Sequence, residues 1–297
     1  MLAPRPRLPL LAHLRGGGGI VSRRPILIND HFQNFKRHNI PKAQLIIADI
    51  PYNVGINAYG SSPEWYVDGD NKNGESDKAG KAFFDTDNDF RVHEYMHFCS
   101  RLLKPEPKEK GEAGAMIVFC SYQQLPMLAE AGIKYGFPNS YPLIFIKSSS
   151  SQVLKANMKI VGATEYALVL YRGRLPKFRN DNRMQLNWIK WQTDRLPKIH
   201  PTQKPLPILK HLIGLFTDPG DVVIDPVAGS GTTLRAAYEM GRRAFGFEIK
   251  KDFAARAQRE ILDTADVDLF TAAATPLPRI QPELEVAALV VSIPPLT

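Results

Sequence analysis

The sequence predicts an α/β fold with a mostly parallel seven-stranded sheet and helices on both faces. Seven short runs are apolar, β-branched or aromatic. Most of them are continuously apolar, which is typical of strands buried on both faces of a parallel sheet. Helical patterns separate several of these runs, and such alternation indicates a doubly wound sheet. One run also leads through a glycine-rich turn into a helix.

The predicted strands lie, in chain order, at residues 26–30, 44–49, 115–121, 141–147, 165–171, 221–226 and 244–249. The first predicted helix is stopped by Pro105 and carries an apolar stripe of Val92, Tyr95, Met96, Cys99, Leu102 and Leu103. A second helix repeats this spacing at Leu206, Leu209, Ile213 and Phe216. A third helix opens on a Thr232 cap and closes on Gly241 in the C-terminal capping position.

The glycine-rich turn belongs to the stretch DVVIDPVAGSGTTLRAAYEMG, which starts at Asp221. Gly229 and Gly231 let the backbone approach a ligand closely, and the helix beyond them offers free N–H groups. The next strand ends at Glu248, where a carboxylate is placed to accept both hydroxyls of a ribose. Leu234 occupies the third glycine position of a dinucleotide fingerprint. A dinucleotide site, a structural turn and an S-adenosylmethionine pocket therefore all stay open at this point.

The second predicted strand ends on an unusual turn, in the stretch LIIADIPYNVG from Leu45 to Gly55. An acid, a proline and a tyrosine follow closely on its apolar residues. A plain strand-to-helix turn needs no aromatic ring there, whereas a turn that grips a flat polar ring does.

Together these stretches resemble the motifs of DNA amino-methyltransferases. ADIPYN resembles their D-P-P-Y motif, DPVAGSGTT their D-P-F-x-G-S-G-T-T motif, and HPTQKP at 200–205 a third element beside the cofactor strand. ILIND resembles the short strand whose terminal acid lies near the cofactor adenine. The catalytic motif precedes the cofactor motif, as in the permuted β group of adenine-N6 and cytosine-N4 methyltransferases. The match runs from about residue 25 to about residue 262.

The resemblance implies a Rossmann-like, S-adenosylmethionine-dependent methyltransferase fold and assigns roles to individual residues. The cofactor would be bound by Asp30, His200, Thr202, Lys204, Asp225, Gly229, Ser230, Gly231, Thr232 and Glu248. The target base would be held by Asp49, the Ile50 carbonyl, Pro51 and Tyr52. Two residues depart from the family pattern. Ile50 replaces a usual proline, which loosens the backbone at that carbonyl, and Val227 replaces a usual phenylalanine, which removes an aromatic wall from the cofactor pocket.

The implied activity is methylation of adenine N6 in double-stranded DNA, as in restriction–modification, with the base flipped out of the duplex. A carboxylate and a carbonyl that accept both hydrogens of the exocyclic amine would bias its nitrogen toward a tetrahedral form that can attack the methyl sulfonium. Aspartate rather than serine at the first motif position resembles the adenine-modifying members. Cytosine-N4 methylation is the alternative within the family.

Residues 172–198 form a basic block with eight lysines and arginines and two acids, which supplies +6 of the chain's net charge of +8. Interleaved Phe178, Trp188 and Trp191 suit phosphate contact combined with base stacking. We expect DNA contacts from Arg172, Arg174, Lys177, Arg179, Arg183 and Lys190. A solvated surface loop with core tryptophans is the alternative.

Two other functions compete with this interpretation. HEYMH matches the H-E-x-x-H pattern of zinc peptidases through His93 and His97, but no third-ligand motif follows it, and we expect no metal. The departures at Ile50 and Val227 also fit a non-catalytic DNA-binding relic of the fold. Two cysteines, in a chain of this length, exclude a disulfide scaffold and suit a reducing cytoplasm.

The predicted organisation is a disordered leader at 1–22, a methyltransferase domain at 23–265 and a C-terminal tail at 266–297. Residues 53–81 are rich in Gly, Asn, Asp and Ser and predict a long binding loop, and 104–114 reads as a solvated connector. No apolar run is long enough to span a bilayer. The oligomeric state is left open between a monomer and a homodimer.

Overall fold

The computed structural model describes residues 24–52, 90–148, 153–155, 160–181, 183–200 and 202–265. The predicted leader, the predicted loop at 53–81 and the predicted tail lie outside the described residues.

The strands are β1 (Ile26–Ile28), β2 (Leu45–Asp49), β3 (Ala115–Cys120), β4 (Asn139–Ile146), β5 (Val153–Lys155), β6 (Ile160–Val161), β7 (Thr164–Tyr171), β8 (Trp188–Lys190), β9 (Val222–Asp225) and β10 (Arg243–Phe247). Eight of them form one sheet in the order β1-β10-β9-β2-β3-β7-β4-β8, and β5 pairs with β6 separately. All seven predicted strands are present in this sheet, with ends that shift by one or two residues. The eighth strand, β8, lies inside the basic block and was missed because its three residues are too few to show a period.

The direction of the strands brings polar side chains to one edge of the sheet. β1, β10, β9, β2 and β3 run parallel to one another, and β7 runs antiparallel to both β3 and β4. Asp49 and Asp225 therefore stand at neighbouring carboxyl ends, and Glu165 near the start of β7 lies at the same edge. In open α/β sheets this is the edge where ligands bind.

The helices are α1 (Val92–Leu102), α2 (Gln124–Lys134), α3 (Leu206–Phe216), α4 (Thr232–Glu239) and α5 (Lys251–Arg256), which continues as a π-helical turn over Ala257–Leu262. A 3₁₀ segment covers Phe32–Arg37. In the described part of the chain no helix is long and apolar enough to cross a membrane.

Helices cover both faces of the sheet, as predicted. On one face α1, α2 and the 3₁₀ segment bury residues such as Tyr95, Met96 and Leu128 against the strands. On the other face α3, α4 and the π-helical turn bury residues such as Ile213 and Leu234. The predicted helical stripes are confirmed, because their apolar residues are buried in the core or packed against it. Full burial of one such large side chain stabilises the fold by roughly 1.5–3 kcal/mol.

The helix after the glycine-rich turn begins differently from the prediction. Its N-cap is Gly231 with φ of 77°, and no side chain caps it, so the predicted Thr232 cap is wrong. A left-handed φ at this position favours glycine, which explains the residue there. At the other end Gly241 has φ of 76°, as the predicted capping position requires.

Candidate active site

A cavity of about 340 Å³ opens at the carboxyl edge of the sheet. Its lining unites the sequence-predicted cofactor and base residues: Asp30, Asp49, Ile50, Pro51, Tyr52, His200, Thr202, Lys204, Asp225, Gly229, Ser230, Thr232 and Glu248. Gly231 does not line it, and an added Cβ there would meet the Ala257 side chain at 3.4 Å. Residues from five separate segments of the sequence therefore share one space.

Asp49 is held by a buried lysine. The Nζ atom of Lys204 donates to Oδ2 of Asp49 at 2.7 Å and lies 3.3 Å from Glu165, with side-chain exposures of 7% for Lys204 and 20% for Asp49. Burial raises the pKa of Asp49, and Lys204 opposes that rise. The other oxygen, Oδ1, is buried and has no hydrogen bond of standard geometry within the described residues, while the Tyr52 side chain lies close enough to help lower the pKa of Asp49. One acceptor is thus anchored by an ion pair, and the other lacks a strong partner of its own in the described part of the chain.

Aromatic and amide groups fix the turn that follows Asp49. The Lys204 ammonium lies 5.4 Å from the centroid of the Tyr52 ring and 5.2 Å from that of Phe119. Gln124, at the start of α2, donates to the Pro51 carbonyl at 2.8 Å. Sequence analysis missed Gln124. Its position just after β3, at the carboxyl edge of the sheet, was the signal that could have found it.

Glu248 braces the glycine-rich turn. One of its carboxylate oxygens accepts the Gly229 N–H at 2.9 Å and the other accepts the Lys250 N–H at 2.7 Å. Burial raises the pKa of this carboxyl. Each oxygen keeps a second lone pair, so the side chain can hold its turn and still accept a ligand hydroxyl.

Asp225 is the most deeply buried acid of the cavity. Its Oδ1 accepts the Val227 N–H at 3.0 Å. Burial raises the pKa of Asp225 to about 7, and the negative charges of Asp49 and Glu248 add to that rise.

Asp30 is fully engaged by its own neighbourhood. Its Oδ1 accepts hydrogen bonds from the His31 N–H and the Asn34 amide, each at 2.7 Å, and its Oδ2 lies 2.8 Å from the His38 ring. These hydrogen bonds, led by that of His38, lower the pKa of Asp30 to about 2. The charged carboxylate therefore shapes the start of the 3₁₀ segment as well as the cavity wall.

Other aromatic rings line the cavity although Val227 stands where the family usually has a phenylalanine. The cavity is lined by Phe32, Phe90, Phe247 and Phe253. His200 stands edge-on to Phe253 at 4.8 Å between ring centroids, and burial lowers the pKa of His200 to about 4. Sequence analysis missed these rings because they lie in four separate segments with no motif of their own.

Two of the cations predicted to contact DNA form ion pairs inside the protein. Lys177 is 6% exposed, and its Nζ lies within 2.7 Å of Asp218, 2.8 Å of Asp221 and 3.3 Å of Glu112. Arg179 bridges Asp218 and Glu112 at 2.8 and 2.7 Å. Burial among three carboxylates is incompatible with the phosphate contact predicted for Lys177, and it leaves Arg179 already paired. The predicted connector at 104–114 is therefore attached to the block through Glu112.

Other members of the block also make contacts inside the protein. Arg172 donates to the Ser100 carbonyl at 2.9 Å, and Arg174 donates to the Lys108 carbonyl at 2.7 Å. Phe178 packs edge-on against Phe216 in the core.

The aromatic prediction for the block is corrected in the same way. Trp191 packs edge-on against Phe145, and Phe178 and Trp191 are both partly buried against the core, so part of each ring is used inside the protein. Arg183 and Lys190 are exposed.

The HEYMH helix serves the core. His93 and His97 are exposed on α1, as its register predicts, while Tyr95 and Met96 are buried. The His93 ring lies 6.0 Å from that of Tyr135. Among the described residues no group of three or more His, Cys, Asp or Glu side chains is placed to hold a metal ion.

Known proteins share both the sequence pattern and the fold. The N6/N4 methyltransferase family model, described as DNA methylase, matches residues 43–259. The DNA adenine methyltransferase YhdJ of Escherichia coli (strain K12) is 26% identical over 260 residues, which cover 77% of this chain and 80% of that protein. The type II methyltransferase M2.DpnII of Streptococcus pneumoniae is 25% identical over 269 residues, which cover 82% and 94%.

Solved structures agree on the fold. The M1.HpyAVI–SAM complex superposes with a TM-score of 0.58 at 21% identity, over 80% of this chain and 98% of that one. The cytosine-N4-specific PvuII DNA methyltransferase superposes with a TM-score of 0.56 at 15% identity, over 84% and 92%. Since the family model spans well over half of the sequence, and the cavity gathers the two motifs that its members share, the chain belongs to the N6/N4 DNA methylase family.

Proposed function

We propose that this protein transfers the methyl group of S-adenosylmethionine to the N6 amine of adenine in double-stranded DNA, in the cytoplasm. The observation that carries the proposal is the Asp49 carboxylate. It lines the cavity, it is anchored through one oxygen by Lys204 at 2.7 Å, and its second oxygen is buried beside Tyr52 without a hydrogen bond of standard geometry within the described residues. The adenine assignment is supported by aspartate at the first motif position and by the name of the relative YhdJ.

The residues of the cavity fit the proposed cofactor. Gly229 has φ of 49°, a left-handed value that favours glycine, and an added Cβ would be in ordinary contact with the His200 ring at 3.6 Å. Glu248 offers acceptors for ribose hydroxyls, and the phenylalanine rings offer an apolar wall for a flat base. S-adenosylmethionine, when bound, supplies an electrophilic methyl group.

The chain's own contribution is to prepare the amine. The lone pair of adenine N6 is delocalised into the ring, which makes the amine a poor nucleophile. Asp49 and the Ile50 carbonyl would accept its two hydrogens and so favour a tetrahedral nitrogen. Because this interaction strengthens as positive charge develops on the nitrogen, it stabilises the transition state more than the ground state.

Tyr52 and the exposed cations have supporting roles in the proposal. The target atom is inaccessible inside a duplex, so the base must be flipped out, and the Tyr52 ring beside Asp49 offers a stacking face. Of the six cations predicted to contact DNA, we propose Arg183 and Lys190 for phosphate contact, since both are exposed and the other four are bonded inside the protein.

The experiment is incubation of the full chain with methyl-labelled S-adenosylmethionine and unmethylated duplex DNA, followed by digestion and separation of the nucleosides. We expect the label in N6-methyladenine, incorporated about 100-fold or more slowly by the Asp49→Ala variant. Label in N4-methylcytosine would overturn the adenine assignment. Cofactor and DNA binding without any labelled nucleoside would instead identify a non-catalytic relic.

A further inference from the structure

Glu165 lies near the start of β7 and takes no part in the mechanism above. One of its oxygens lies 3.3 Å from Lys204 Nζ, and the other forms an ion pair with Lys147, which follows β4. Glu165 is not among the residues that line the cavity in the described part of the chain. It therefore reaches the site through Lys204. An alternating row of charges, Asp49, Lys204, Glu165 and Lys147, results at the carboxyl edge of the sheet.

The buried ammonium needs this second partner. Lys204 is 7% exposed, and an ammonium in such a place is stable only when its N–H groups are paired. Asp49 accepts a hydrogen bond at 2.7 Å and the Thr202 carbonyl accepts a long one at 3.5 Å. Glu165 Oε2 lies 3.3 Å from the ammonium as an ion-pair contact without hydrogen-bond geometry. Glu165 thus supplies, as an ion pair, the second negative charge beside the ammonium.

The charges around Lys204 balance. The titratable groups that face it or adjoin its partners include Asp49, Tyr52, Cys120, Lys147, Glu165, His200 and, through Asp49, Asp225. Burial lowers the pKa of His200 to about 4 and raises that of Cys120 to about 12, so both are uncharged near neutral pH. Two carboxylates then face two ammonium groups. Burial opposes the charge of Lys204, yet Asp49 and Glu165 together hold the pKa of Lys204 above its usual range.

We propose that Glu165 is a positioning residue for methyl transfer, which holds the Lys204 ammonium in place so that the ammonium anchors the Asp49 carboxylate toward the substrate amine. This inference rests on the proposed function of the same site. It predicts that removal of the Glu165 charge harms the transfer step without removing any group that touches cofactor or base.

The test is single-turnover methyl transfer by Glu165→Gln at saturating S-adenosylmethionine and DNA. We expect the rate to fall by about tenfold or more, with both affinities within about twofold of wild type, because only the transition-state interaction is disturbed. The alkaline limb of the rate–pH profile should move to lower pH, since Lys204 loses a carboxylate that supports its charge.

Glu239→Gln is the matched control. Glu239 is also a buried carboxylate, 2% exposed between Arg235 and Lys210, but it lies on α4 outside the cavity. We expect this variant to transfer at the wild-type rate even if its melting temperature falls. A loss of rate equal to that of Glu165→Gln would show that any lost buried carboxylate has this effect, and would overturn the proposal.

A double-mutant cycle separates action through Lys204 from independent action. In a Lys204→Met background, Glu165→Gln should change the remaining rate by less than about twofold, because its route to Asp49 is already broken. The same fold-loss in both backgrounds contradicts the proposal.

A readout that needs no turnover keeps the inference distinct from the proposed function. In protein labelled with ¹⁵N-lysine, Lys204→Met identifies the Lys204 ammonium resonance. We expect that resonance to be protected in the wild type, and to be lost or to titrate at lower pH in Glu165→Gln. An unchanged resonance overturns the inference. Absence of methyl transfer by the wild type overturns the proposed function alone.

Discussion

Two buried aspartates at neighbouring strand ends have opposite surroundings. Asp49 faces the Lys204 ammonium, which favours its charged form. Asp225 faces a backbone N–H and two like charges, and burial raises its pKa to about 7. Burial thus raises the pKa of both aspartates, and only at Asp49 does a neighbouring ammonium oppose that rise.

The raised pKa of Asp225 predicts a pH-dependent stability. The folded-state pKa of about 7 lies above the ordinary value of 3.8, so the stability from the protonated form is fully present below about pH 4 and is lost as the pH rises through about 7. Asp225→Asn keeps a neutral side chain that can still accept the Val227 N–H. Its free energy of unfolding relative to wild type should therefore rise with pH, by up to about 1.4 kcal/mol per unit. Denaturant unfolding of the protein without cofactor measures this, and a difference independent of pH would contradict it.

Asp49 and Tyr52 should fail in different ways. Asp49→Ala removes an acceptor that matters most in the transition state, so single-turnover transfer at saturating ligands should fall by about 100- to 1000-fold while cofactor affinity is nearly unchanged. Tyr52→Ala should instead weaken binding of DNA with a flipped base by roughly 1–3 kcal/mol, and Tyr52→Trp should retain much of that binding. Wild-type transfer by Asp49→Ala would remove ADIPYN from the active site.

At the scale of an element, the basic block is a segment tied to the sheet. Its three-residue strand β8 pairs with β4, its rings enter the core, and Lys177 lies among three carboxylates. Those carboxylates come from the connector and from the turn before β9, so the cluster joins three segments that are far apart in the sequence.

Lys177→Met should therefore destabilise the fold. It leaves Glu112, Asp218 and Asp221 without their shared ammonium, and we expect a loss of about 2–4 kcal/mol in the free energy of unfolding, less than for a fully buried pair because two of the acids remain accessible. Arg179 and Lys177 lower the pKa values of Glu112 and Asp218, and Lys177 and Lys104 lower that of Asp221 against its burial. The stability lost in Lys177→Met should therefore be largest above the unfolded-state pKa values of these carboxyls. It should decrease as the pH falls through their folded-state pKa values. Lys190→Met, at an exposed position, is the control and should change stability by less than about 0.5 kcal/mol. Equal effects of the two substitutions would show that the cluster adds no stability.

At the scale of the molecule, the sequence predicted most of the sheet and the composition of the cavity. Strands that are buried in a parallel sheet appear in the sequence as continuous apolar runs, and turns that bind a ligand are rich in glycine, proline and acidic residues. Both signals occur at β2 and β9, which is why these strands and their turns could be predicted. The partners that hold these groups were not. Glu165, Gln124 and the phenylalanine rings are ordinary residues in their own segments, and only the strand order brings them to Asp49. The net charge of a segment cannot reveal such contacts either, because it does not show that Lys177 and Arg179 form ion pairs inside the protein.

The pairing inside the basic block changes what the net charge of +8 predicts for DNA binding. Only cations that exchange solution counterions for phosphate contribute to the salt dependence of affinity, and each one contributes roughly 0.9 to the log–log slope. Arg183→Ala combined with Lys190→Ala should therefore reduce the slope by about 1.8 and weaken binding of any duplex sequence to a similar degree. Lys177→Met, measured at a temperature where it is folded, should leave the slope unchanged because Lys177 is paired inside the protein. Fluorescence anisotropy of a labelled duplex over a range of salt concentrations measures both. A reduced slope for Lys177→Met, with no change for the Arg183 and Lys190 variant, would show that DNA opens the ion cluster and contacts its buried lysine.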